Sequence, residues 1–124
     1  MDTTLTNQSN STSDGPERRR SKRYAFVAMA EVSEIDSDYR VCGRTTEISL
    51  TGCFLDMANP LPEGKQVFVK IFTRTEFFEA NATVIYSQER LGVGLNFDDI
   101  GRHFQPTLQR WVLEGLRAAL VTQE

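Results

Sequence analysis

Two cysteines, one histidine and one tryptophan are all that the 124 residues hold of these types. His103 stands alone, and neither Cys42 nor Cys53 has further Cys or His at ligand spacing, which excludes a structural zinc site of the usual kind. The chain also lacks a Ser/His/acid set and a glycine-rich phosphate loop, so catalysis is not expected. The cysteines read as two small buried thiols rather than as a disulfide or redox pair. No apolar run comes near the ~20 residues that span a bilayer. The opening MDTTLTNQSNSTSDGP has neither the basic nor the apolar region of a secretory signal. A soluble, cytoplasmic protein is the expectation.

What is present is an uneven distribution of charge. The chain carries 14 Lys and Arg against 17 Asp and Glu, yet five of the cations, Arg18, Arg19, Arg20, Lys22 and Arg23, fall inside ERRRSKR at residues 17–23. That stretch has a net charge of +4 in a chain whose net charge is −3. Binding along a nucleic acid depends on many distributed phosphate contacts, and the acidic remainder offers no stripe of alternating basic and aromatic residues. A small anionic target fits better than an extended polyanion.

The organisation reads as one modest domain. Residues 1–16, rich in Ser, Thr, Asn and Asp, cannot repay the entropy of ordering and are expected to form a disordered arm. Residues 17–103 then hold the basic stretch and six strand-length runs, at 24–33, 39–49, 52–57, 66–72, 76–88 and 89–97. Period-two alternation is clearest in EFFEANATVIYSQ, where Phe78, Ala80, Ala82, Val84 and Tyr86 share a face. In ERLGVGLNF, Leu91, Val93, Leu95 and Phe97 share a face, and Gly92 and Gly94 lie opposite, either at the curvature of a barrel corner or on a ligand-facing surface, two readings that are compatible. From residue 104 the period becomes helical: Phe104, Leu108, Trp111, Val112, Gly115, Ala119 and Leu120 make one apolar stripe. Gly115 costs propensity but permits close approach to a sheet. The expected fold is all-β, a six-stranded antiparallel barrel, with a C-terminal amphipathic helix over 104–124 packed on it. An apolar helix face can serve its own barrel or a neighbour, so the oligomeric state stays open.

Between the second and third strands lies TEISLTG, residues 46–52. Its hydroxyls, backbone N–H groups and glycine can form an anion-accepting turn, although such turns are commonly plain connections. Together, RRSKR at Arg19–Arg23 and EISLTG at Glu47–Gly52 resemble the two motifs of the PilZ domain family, bacterial receptor modules for cyclic di-GMP: Arg-x-x-x-Arg before the first barrel strand, then [Asp/Asn]-x-Ser-x-x-Gly between strands. The resemblance extends over about residues 17–100 and implies a PilZ-like β-barrel.

The resemblance also implies roles. Arg19 and Arg23 would clamp the ligand, since guanidinium forks pair bidentately with phosphate oxygens or with guanine O6 and N7. Arg18 and Arg20 would add charge or a further contact. Ser49 would present its hydroxyl to the ligand or brace the turn, and Gly52 would keep the turn close and unobstructed. Glu47 departs from the family, standing where Asp or Asn is usual. Its carboxylate either reads guanine donors through a different rotamer or turns back to pair with Arg19 or Arg23. The implied function is a cyclic di-GMP receptor or adaptor that relays the second-messenger level to an unidentified protein partner; a non-binding PilZ adaptor, with Glu47 disabling the site, is the alternative.

Overall fold

A computed structural model of the chain describes residues 21–122. The arm expected at 1–16, together with Arg18, Arg19 and Arg20, lies outside the described residues. Six strands and one helix follow in order: β1 (Tyr24–Glu34), β2 (Arg40–Ile48), β3 (Gly52–Asp56), β4 (Gln66–Phe72), β5 (Phe77–Gln88), β6 (Gly92–Ile100) and α1 (Gln105–Thr122). The strands close into a barrel in the order β1-β2-β3-β6-β5-β4, and every neighbouring pair is antiparallel. Closure leaves no strand edge unpaired, which solves the aggregation problem that short open sheets face. The fold is therefore the all-β barrel with a C-terminal helix that the sequence patterning predicts.

Alternation fills the barrel. Ala28, Ala30 and Val32 of β1, Val67, Val69 and Ile71 of β4, Phe78, Ala80, Ala82 and Val84 of β5, and Val93, Leu95 and Phe97 of β6 all point inward and are buried. The ANPLPEG connection turns at Gly64, whose φ of +86° lies in the left-handed region. Its N–H donates to the Val84 carbonyl at 2.8 Å, tying the loop to β5.

The helix closes one end of the barrel. Leu108 and Trp111 are buried, and the Trp111 ring stacks on Phe26 with centroids 4.9 Å apart. Trp111 Nε1 donates to Glu76 Oε2 at 2.8 Å, so the polar edge of the indole is satisfied at the rim. Gly115 lies against β1: a Cβ there would stand 2.6 Å from Tyr24 Cβ. The close approach inferred for this glycine is thus present.

Four expectations are corrected. β6 begins at Gly92 rather than at residue 89, and Leu91 is 60% exposed. Its N–H closes a turn onto the Gln88 carbonyl, with Arg90 at φ +67°, so Leu91 belongs to the turn and not to the alternating strand. Leu120 is 55% exposed because the helix runs past the barrel end. Cys42 is exposed and only Cys53 is buried, since Cys42 points outward on β2. Tyr86 leaves the inward face of β5 at a β-bulge: Val84 pairs with Leu95, but Tyr86 pairs with Gly94. The extra residue flips its side chain to the outer surface.

Candidate functional site

The outer surface holds a row of paired residues that crosses five strands. Ala25 of β1 pairs with Glu47 of β2, Glu47 with Phe54 of β3, Phe54 with Gly94 of β6, and Gly94 with Tyr86 of β5. Register shifts in β1/β2, β2/β3 and β5/β6 all flank this row. Bulges re-aim side chains, and here they bring Glu47 and Tyr86 onto one outer face. The buried hydroxyl of Thr45 supports the β2 irregularity by donating toward the Glu47 and Phe54 carbonyls, at 3.1 and 2.9 Å.

Arg23 lies over this row. Its Nη1 donates to Tyr86 Oη at 2.8 Å and to Glu47 Oε1 at 3.2 Å. The ion pair is unequal in exposure, with the Arg23 side chain 13% accessible and that of Glu47 48%. Burial works against the guanidinium charge, but the Tyr86 and Glu47 contacts outweigh it and the Arg23 pKa moves upward. Arg23 thus stays charged at every accessible pH. Glu47 occupies the second of its two expected arrangements, turned back onto the arginine.

An open cavity of about 370 Å³ adjoins the pair, lined by Arg23, Glu47, Phe54, Asp56, Tyr86, Gln88 and Leu91. The Phe54 and Tyr86 rings lie 6.1 Å apart and are nearly parallel. Gly94 provides the seat for Tyr86, because a Cβ at Gly94 would come within 2.4 to 2.9 Å of three ring atoms. Gly94 on the glycine face of β6 is therefore covered by the protein's own tyrosine. Asp56 pairs with Arg44 at 3.3 Å.

The EISLTG turn is built around Ser49, which is 2% exposed. Its Oγ accepts the N–H groups of Thr51 and Gly52, each at 3.1 Å, and lies 3.3 Å from the Gly52 carbonyl. Ser49 braces the turn from within. Gly52 faces another constraint: a Cβ there would fall 2.1 Å from the Leu95 carbonyl oxygen of β6. Ser21 Oγ reaches Thr51 Oγ1 at 3.2 Å and ties the end of the basic stretch to the turn. The structure thus brings together Arg23, Glu47, Ser49 and Gly52, while Arg18, Arg19 and Arg20 precede the described residues. Tyr86 and Phe54 are lining residues that strand periodicity does not single out; the Gly94 opposite Tyr86 is the one trace they leave in the sequence.

Among the described residues, no group of three or more His, Cys, Asp or Glu could hold a metal ion, and no helix is long and apolar enough to cross a membrane.

Comparison with solved structures gives relatives of the same fold. The PilZ domain of YcgR from Escherichia coli with c-di-GMP matches with a TM-score of 0.65 at 19% identity, over 86% of this chain and 97% of that one. The PilZ domain of CeSA from a cellulose-synthesizing bacterium matches with a TM-score of 0.60 at 21% identity, over 75% and 96%. The Bacillus subtilis inhibitor of motility MotI/DgrA matches with a TM-score of 0.65 at 19% identity, over 81% of this chain but 52% of its own length. A comparison with curated proteins finds no match. The PilZ domain description matches residues 17–114, which span both arginine-rich and EISLTG stretches, the whole barrel and the first half of the helix, and the chain belongs to the PilZ domain family.

Proposed function

We propose that the protein is a non-catalytic, cytoplasmic receptor for cyclic di-GMP that relays the level of this second messenger to a protein partner. The observation that carries this reading is Arg23 held at the wall of an open cavity of about 370 Å³, its Nη1 fixed by Tyr86 Oη at 2.8 Å. The similar PilZ domain of YcgR, whose structure is with c-di-GMP, supports the ligand class. Arg23 supplies a charged fork for phosphate or a purine edge; Arg19 completes the clamp from the preceding segment, and Arg18 and Arg20 add positive field. Ser49 and Gly52 hold the turn that follows β2, next to Glu47, rather than meeting the ligand themselves.

One observation favours a second reading. Glu47 already neutralises Arg23, so a barrel that binds no nucleotide and acts only through protein contacts is the competing description.

Isothermal titration with cyclic di-GMP separates the two. The native chain should give saturable heat in the micromolar range, and Arg23→Ala or Arg19→Ala should each weaken binding about tenfold or more, since charge-assisted contacts are worth roughly 1.5–3 kcal/mol. Glu47→Asp should tighten binding if the carboxylate reads guanine. If Glu47 instead closes the clamp, the native chain will be silent and Glu47→Ala will bind. Silence from the native chain removes the receptor reading and leaves the adaptor.

A further inference from the structure

Two partners share Arg23 Nη1, and they differ in rigidity. Tyr86 is fixed three ways: the bulge between Val84 and Tyr86 turns it outward, its ring rests on Gly94, and Phe54 flanks it at 6.1 Å. Its hydroxyl is consequently an acceptor at a set point, 2.8 Å from Nη1. Glu47 is half-exposed and reaches the same nitrogen at 3.2 Å through a longer, freely rotating side chain. A guanidinium has five N–H donors in one plane, and both contacts fall on Nη1. Among the described residues, none accepts a hydrogen bond from Nε or Nη2.

We propose that Tyr86 is a positioning residue: its hydroxyl anchors the Nη1 end of Arg23 to the barrel and so presents the Nε/Nη2 edge, the edge suited to bidentate pairing with a phosphate, toward the cavity. The inference rests on the reading that Arg23 takes an anionic ligand, and it adds the reason that a long side chain at the domain edge is ordered before the ligand arrives. Ordering an arginine on binding carries an entropic cost, and preorganisation removes it. Glu47 also holds Nη1, but it is the contact that can be lost without moving the guanidinium, because the tyrosine remains.

Tyr86→Phe is the informative variant, since it retains the ring, the Gly94 seat and the Phe54 contact and removes only the hydroxyl. Titration with cyclic di-GMP should show affinity reduced about three- to tenfold, the range expected for one hydrogen bond. Nitrogen-15 relaxation of the Arg23 Nε–Hε group in the ligand-free protein should show an ordered side chain in the native chain and in Glu47→Gln, and a mobile one in Tyr86→Phe. Native affinity in Tyr86→Phe overturns the proposal. So does weakened binding with Arg23 as ordered as before, which would mean that the hydroxyl acts on the ligand and not through the arginine. If the native chain binds no cyclic di-GMP, the receptor reading fails by itself; the relaxation measurement still decides the anchor, with loss of Arg23 order in Tyr86→Phe supporting it and unchanged order refuting it.

Discussion

Replacing Trp111 with alanine tests whether the helix is part of the domain or an appendage. Trp111 is 1% exposed, stacks on Phe26, and lies 6.2 Å from the Phe78 ring, so its removal empties the space between α1 and the barrel floor. A buried Trp→Ala change costs roughly 3–5 kcal/mol through lost transfer energy and residual cavity. The Nε1 bond to Glu76 adds little, because Glu76 keeps Arg110 and contact with water. Against a total stability of about 5–15 kcal/mol, the loss removes a large share. A domain of this size should lose about 4–8 °C of Tm per kcal/mol, and hence roughly 12–40 °C. Urea unfolding followed by far-ultraviolet circular dichroism is the suitable assay, since the substitution removes the single tryptophan. If the helix docks as part of one cooperative unit, the midpoint falls sharply with a single transition. A loss below about 1 kcal/mol with an unchanged slope would refute the packing argument, because a cavity of this size in a shared core cannot be that inexpensive.

Gly52→Ala should destabilise the barrel by roughly 1–3 kcal/mol or more, since its Cβ would fall 2.1 Å from the Leu95 carbonyl oxygen, a backbone atom that cannot rotate away; neutral urea unfolding would show that the glycine is not needed for close approach. Glu76 is predicted to make stability pH-dependent. Its pKa is lowered from 4.5 by the Trp111 and Arg110 hydrogen bonds, so its contribution is whole above the unfolded value and disappears as pH falls through the lowered one. Tryptophan fluorescence should therefore report a change on acidification that Glu76→Gln abolishes. The two thiols should differ in reactivity: Cys42 is exposed, whereas Cys53 is fully enclosed and burial pushes its thiol up to about 12. A disulfide reagent added to the native protein should titrate one thiol promptly and the second only on unfolding, and two prompt equivalents would contradict the burial of Cys53.

Much of the barrel was legible because inward and outward positions alternate where strands are regular. Val67, Val69 and Ile71 of β4 are fully buried as their spacing indicates, and Leu108, Trp111 and Gly115 of α1 fall on one face at intervals of three and four. The pattern fails where the backbone leaves regular geometry. Leu91 continues the apolar alternation of β6 in sequence, but the Gln88–Leu91 turn removes it from the strand. Tyr86 continues that of β5, but the bulge before it reverses its face. Neither a turn with Arg90 in the left-handed region nor a bulge without glycine announces itself in residue types.

The same limit governs the site. Arg23, Glu47, Ser49 and Gly52 are picked out by the resemblance of RRSKR and EISLTG to the two PilZ motifs; the structure sets Arg23 against Glu47 at the cavity, and Ser49 and Gly52 in the turn after β2. What spacing could not distinguish was the work each does there. Ser49 and Gly52 have the composition of an anion-binding turn, yet Ser49 accepts the turn's own N–H groups and Gly52 is required by the nearness of Leu95. Arg23 meets neither of them but the row that crosses the sheet, where Tyr86 and Glu47 accept from its Nη1. A turn is read from local sequence because its bonds are local. A lateral row depends on register between residues far apart in sequence, 39 positions for Glu47 and Tyr86, and register is set by closure of the whole barrel. Of the two residues that hold Arg23, the motif resemblance reaches Glu47, whereas Tyr86 is placed there by the fold alone.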